Sequence, residues 1–219
     1  MIRECRLLAA ASLIVAMVGP ASGEPISFDG SWKEQGFLRL WSNQYSFQGQ
    51  HLEVTSDDTV SLIWRAVEPS LGEASKARWG WKVRNGVVAT DLTQKGGDDR
   101  NLAIYFIFVD AETANGLTKK SARRLLRNPN TRALVYVWGG QHSPDSFLPS
   151  PYHPRLVTRV LRASGSGEYH EDVDLEADFR TAFGEEKNTL VGIGISADSD
   201  DTDGLIQASI KNLELVTSE

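Results

Sequence analysis

Beyond residue 24, apolar and polar positions alternate with a period of two along most of the chain, the spacing that turns one face of a β-strand inward and the other outward. Residues 59–66 are rich in β-branched and aromatic side chains and follow an Asp57-Asp58 turn. Residues 77–83 place Ala77, Trp79, Trp81 and Val83 on one face, so both tryptophans are expected in the core. Asn85-Gly86 then predicts a hairpin turn. Residues 102–109 are an unbroken apolar run, which predicts a strand covered on both faces and central in its sheet. Strands are also predicted over 133–138, 156–163, 168–173, 190–197 and 205–216, separated by Gly-, Asp- and Ser-rich turns. In the last of these Ile206, Ala208 and Ile210 share a face, whereas Leu213 and Leu215 are one residue out of phase, which predicts a bulge near Lys211-Asn212.

Two segments keep a helical spacing instead. Thr118 starts one that Asn128-Pro129 ends, and Leu175, Phe179 and Phe183 recur at four-residue steps until Gly184 closes the other. About nine or ten strands with two short helices predict an all-β fold, an antiparallel β-sandwich or jelly roll, because parallel strands would need a crossover between most pairs.

The first residues read differently. Arg3 and Arg6 precede an apolar run over 7–18, followed by Gly19-Pro20-Ala21-Ser22-Gly23, a pattern that predicts a signal peptide over residues 1–23 cleaved after Gly23. The run is shorter than the roughly 20 apolar residues a membrane span needs. The expected products are an exported protein, periplasmic or secreted, and a single domain over residues 24–219 with no transmembrane segment. The one cysteine, Cys5, goes with the signal, so thiolate metal sites, disulfides and cysteine nucleophiles are not expected.

The full chain carries a formal charge of −6, and loss of the signal makes it one unit more acidic. Phosphate neutralisation by Lys and Arg supplies most nucleic-acid affinity, so no nucleic-acid partner is expected. Lys119, Lys120, Arg123, Arg124 and Arg127 form the one cationic cluster and read as a solvated helix face.

Candidate chemistry is carried by acids and aromatics. Asp198, Asp200 and Asp201 end an apolar strand, where closely spaced carboxylates could hold a structural calcium ion; the Asp-x-Asp spacing begins like an EF-hand, but Ser209 stands where its closing glutamate would be. The alternative is an acidic solvated turn. Asp98 and Asp99 follow Gly96-Gly97, a turn signal, and with Tyr105 could accept hydrogen bonds from sugar hydroxyls. Tyr136 and Trp138 share a strand face ahead of Gly139-Gly140 and a polar loop, which predicts an aromatic platform near solvent. Gly192, Gly194, Ser196 and Asp198 give the strand over 190–197 one bare face, best explained by the helix over 175–183 packing on it. Glu171 with Asp174 or Asp178 could serve glycoside hydrolysis, although capping and salt bridging explain them with fewer assumptions. The four histidines show no metal-ligand spacing, and no nucleophile elbow or phosphate-binding loop is present.

Several motifs occur together: Trp79-Gly80-Trp81-Lys82-Val83; Lys95-Gly96-Gly97-Asp98-Asp99 leading to Tyr105 and Phe108; Tyr136-Val137-Trp138-Gly139; Glu171, Asp174 and Asp178-Phe179 ahead of Phe183-Gly184; and Asp198-Ser199-Asp200-Asp201-Thr202. In this order they resemble the bacterial family catalogued as domain of unknown function 3047. The resemblance implies a jelly-roll sandwich similar to carbohydrate-binding and galactose-binding-like domains, with no established activity to transfer. Two departures stand out: an arginine of the family pattern is replaced by Ala103, and another by Val173, so if those arginines pair with buried carboxylates or hold a ligand, that contact is expected to be lost in this chain. The expected function is non-catalytic binding of a carbohydrate or envelope ligand at Asp98, Asp99, Tyr105, Tyr136 and Trp138, the alternatives being a glycoside-active enzyme or a protein-interaction module of the envelope.

Overall fold

The computed structural model describes residues 23–36, 41–115, 125 and 127–217. The segment expected to be a signal peptide and most of the helix expected after Thr118 lie outside them. The described strands are β1 (Glu24–Pro25), β2 (Lys33–Gly36), β3 (Gln44–Gln48), β4 (His51–Asp57), β5 (Val60–Ala66), β6 (Ala74–Asn85), β7 (Arg100–Val109), β8 (Arg132–Trp138), β9 (Phe147–Pro149), β10 (Leu156–Arg162), β11 (Gly167–Asp174), β12 (Thr189–Asp198) and β13 (Leu205–Thr217); the helices are α1 (Ala111–Asn115) and α2 (Leu175–Phe183). None of the described helices is long and apolar enough to cross a membrane.

The strands form two sheets. One runs β11-β6-β13-β4-β3, with β1 also pairing with β13; the other runs β2-β5-β12-β7-β8-β10-β9. The unbroken apolar strand β7 is fourth of seven, central as its sequence requires. Pairing is antiparallel except between β8 and β10, which are parallel. A parallel neighbour requires the chain to return the whole length of the strand. Here it does so through residues 139–155, which also carry the edge strand β9.

The core lies between the sheets. Trp79 and Trp81 of β6 meet in a T-shaped pair at 5.5 Å; across the gap, Trp79 packs on Tyr136 at 5.7 Å and Trp81 on Trp138 at 5.6 Å. Leu102, Ile104, Phe106 and Phe108 of β7 fill the same layer. The bulge in β13 is present: the register with β6 jumps between Lys211 and Glu214, Asn212 takes a φ of +50°, and Leu213 and Leu215 thereby return to the core. Asp174 caps α2 by accepting from the Glu176 and Ala177 amides, and Gly184 closes it in the left-handed conformation.

Asn85-Gly86 does not make a hairpin. β6 and β7 belong to different sheets, and residues 86–99 carry the chain between them. Gly86 is needed there for close approach, since a Cβ would sit 2.4 Å from Asn101 Oδ1, whose oxygen accepts from the Val87 amide.

Candidate functional site

Period two gives each strand of the seven-stranded sheet a second face, turned away from the core. On β8 this face holds Ala133, Val135 and Val137; on β7 it holds Tyr105 and Ile107; on β12, Ser196 and Asp198; on β10, Leu156 and Thr158. A cavity of about 530 Å³ lies over it, within the range of small-molecule sites. Ser150, Pro151, Tyr152 and His153, on the return connection that the parallel β8–β10 pair demands, form one wall.

One end of the cavity is polar, and Arg100 organises it. Nη1 donates to Asp98 Oδ2 at 3.2 Å, to the Asp98 carbonyl at 2.9 Å and to Asp198 Oδ2 at 3.0 Å, while Nη2 donates to the Tyr105 hydroxyl at 2.9 Å. Tyr152 donates to Asp98 Oδ1 at 2.8 Å and accepts from the Gly96 amide, tying the wall to the loop before β7. Asp200 and Asp201 line the same end.

Asp198 is buried, and its Oδ1 is closed to solvent and receives no donor. Burial pushes its carboxyl up to about 9, with the adjacent Asp200 and Asp99 carboxylates adding to the shift and Arg100 opposing it. Arg100 divides one nitrogen between Asp98 and Asp198, which is why it does not hold Asp198 ionised. A proton on Oδ1 turns the orphaned acceptor into a donor.

Five of the residues expected from the sequence thus line the cavity: Asp98, Tyr105, Asp198, Asp200 and Asp201. Asp99 points the other way. Its carboxylate is buried and accepts from the Thr202 amide at 2.8 Å, the Thr202 hydroxyl at 2.6 Å and the Asp201 amide at 3.4 Å, closing the turn after β12. The metal-ligand grouping shifts accordingly: Asp99, Asp200 and Asp201 each present one oxygen within 4.8 Å of one another, and Asp198 turns to Arg100 instead of joining them. Three oxygens are about half of what calcium takes, and Asp99 already serves three donors.

Tyr136 and Trp138 are not a platform. They are 0% and 1% exposed and stand in the core. Both faces of β8 are apolar, and the larger aromatic set is the one that meets Trp79 and Trp81. Nor does α2 cover the bare face of β12; it packs on β6, β8 and β11. Gly194 instead lets Leu62 and Tyr105 close in, with a Cβ placed 3.1 Å from Leu62 Cδ1.

The carboxylates of the hydrolytic alternative are structural. Glu171 accepts from Trp81 Nε1 and from Arg162 at 2.9 Å, and Asp178 accepts from the Tyr136 hydroxyl at 2.7 Å and from Arg159 at 2.6 Å; each side chain is 9% exposed. Arg162 serves Glu171 from β10, and Arg100, three residues before Ala103, serves Asp98 and Asp198. Arg100 and Tyr152 are the site residues that sequence reasoning missed; an arginine directly after two aspartates at the mouth of a strand was the available signal for the first, and for Tyr152 there was none.

The solved structures most similar in shape include the xyloglucanase domain of NopAA, a type three effector from Sinorhizobium fredii in complex with cellobiose (9% identity, 90% of this chain and 98% of that one, TM-score 0.48). A family 11 carbohydrate-binding module of a cellulosomal cellulase of Clostridium thermocellum (8%, 91% and 97%, 0.44) and an endoglucanase from Rhodothermus marinus (10%, 90% and 96%, 0.45) are similar to a like extent. At these scores the likeness is one of general shape and bears on no residue of the cavity. No curated protein matches the chain. The model of the family described as protein of unknown function (DUF3047) matches residues 30–214, and the chain belongs to that family.

Proposed function

We propose that this protein binds, without transforming it, a carbohydrate or carbohydrate-bearing envelope component in the cavity over the outer face of the seven-stranded sheet. The observation that carries the reading is the polar end of that cavity, where Asp98, Asp200 and Asp201 offer carboxylate oxygens beside two tyrosine hydroxyls held in place by Arg100 and Asp98. Sugar hydroxyls are donors that such fixed acceptors satisfy, and a frame already in place loses little entropy on binding. The commitment of Glu171 and Asp178 to structural partners favours binding over hydrolysis.

The test is calorimetric titration of the protein with oligosaccharides and glycosides drawn from bacterial envelopes and plant walls, with the supernatants assayed for new reducing ends. Saturable binding that is weakened in Asp201→Asn, with no sugar released, is the expected result. Release of reducing ends would replace binding by catalysis, and absence of any glycan or glycoside ligand would overturn the reading.

A further inference from the structure

The cavity has two chemically distinct halves, and only one suits a sugar. Beyond the Arg100 end its floor is mostly aliphatic, Leu62, Ile107, Ala133, Val135, Val137 and Leu156, with the Ser196 and Thr158 hydroxyls set among them. Sugar-binding surfaces present broad aromatic rings that stack on the apolar face of the pyranose, yet the large rings of β8 are on the opposite side of the sheet. The rings that do reach the cavity, Tyr105 and Tyr152, have their hydroxyls committed at the polar end, to Arg100 and Asp98. A bare oligosaccharide laid along this floor would bury most of its hydroxyls against methyl groups, with few acceptors beyond the Thr158 hydroxyl to receive them.

The polar half also selects by charge. Arg100 is shared by Asp98 and Asp198, and among the described residues no cation forms an ion pair with Asp200 or Asp201. A phosphate, sulfate or carboxylate head placed there would meet uncompensated carboxylates. An uncharged head rich in hydroxyls would meet acceptors.

We propose that the ligand is an uncharged amphiphilic glycoside, with its sugar hydroxyls donating to Asp98, Asp200 and Asp201 and its hydrocarbon chain lying on Leu62, Ile107, Val135, Val137 and Leu156. This rests on the carbohydrate-binding reading of the same cavity and names the class of molecule within it. The floor then serves as a hydrocarbon slot and the acidic end as a headgroup reader.

The experiment is a calorimetric series on the full chain below the critical micelle concentrations: methyl, hexyl, octyl and decyl glucosides, the matching galactosides and maltosides, and octylammonium, octyl sulfate and octanoate as tail controls. Affinity should rise roughly threefold for each methylene added until the floor is covered, and the anionic tails should bind at least tenfold more weakly than octyl glycosides. Leu156→Ser should flatten the chain-length series while leaving methyl glycoside binding in place; Asp201→Asn should weaken every glycoside by a similar factor and leave the slope intact. Glycoside binding that does not depend on chain length would overturn the amphiphile and leave the carbohydrate reading standing. Octylammonium binding as tightly as the octyl glycosides would overturn the sugar head. No binding by any glycoside would overturn both.

Discussion

Arg100 Nη1 donates to Asp198 Oδ2 at 3.0 Å, joining the first residue of β7 to the last residue of β12. The same guanidinium holds Asp98 and the Tyr105 hydroxyl, so one side chain sets the positions of three groups that line the cavity. Replacing it by Met leaves these largely buried groups without their common donor. The expected loss is about 3 kcal/mol, measured by urea unfolding, and Arg100→Lys should recover only part of it because an ammonium cannot span Asp98, Asp198 and Tyr105 as a planar fork does.

Asp198 makes stability depend on pH in an unusual direction. Its carboxyl titrates at about 9 in the folded chain and near 3.9 when unfolded. Between those values the folded state holds one more proton, so this group's contribution falls as pH rises from about 4 to 9 and is level below and above. Asp198→Asn stays neutral throughout. Its melting temperature should therefore exceed that of the parent increasingly from pH 6 to pH 9; parallel melting curves over that range would show that Asp198 is ionised.

Trp138→Ala should fail as a fold and not as a binder. The indole is buried against Trp81 and Tyr169, and truncating such a side chain costs about 3–5 kcal/mol. Denaturant unfolding reads this directly, and a midpoint near that of the parent would return Trp138 to the surface.

Tyr152→Phe keeps the ring and removes the hydroxyl that links the Gly96 amide to Asp98. Since this bond is at the cavity wall, stability should change by about 1 kcal/mol or less, while glycoside affinity falls severalfold as the wall loses its tie. Equal affinities in the two proteins would remove Tyr152 from the site.

Glu171→Gln should cost about 1.5–3 kcal/mol through the loss of the charged acceptor shared by Trp81 and Arg162. Glycoside binding, read by calorimetry on the folded variant, should be unchanged, because Glu171 lies apart from the residues that line the cavity.

How much of this was legible beforehand depends on how local each cause is. The alternation in β6, the continuous run in β7, the phase slip in β13 and the Asp174 and Gly184 boundaries of α2 are written in neighbouring residues, and each appears where the sequence predicts it. Asp98, Tyr105 and the acids after β12 were also legible as candidates, because each run sets several oxygen ligands close together beside a strand end. Asp99 shows the limit. It is adjacent to Asp98 in sequence, yet its carboxylate faces a turn about a hundred residues further along the chain.

Eight strands, β5 to β8 and β10 to β13, and the two alternating faces of each are written in the sequence alone, since period two follows from backbone geometry, whereas β1 to β4 and β9 carry no signal that was read there. Which face became core was settled only when the sheets came together. On β8, Leu134, Tyr136 and Trp138 alternate with Ala133, Val135 and Val137, and hydrophobicity does not separate the two sets. Volume does, once Trp79 and Trp81 are brought opposite: the larger rings fill the space between the sheets, the smaller side chains are left outside, and a cavity forms over them. The partners of Arg100 and the wall raised by the parallel β8–β10 pair follow from the same long-range assembly, which no window of neighbouring residues contains.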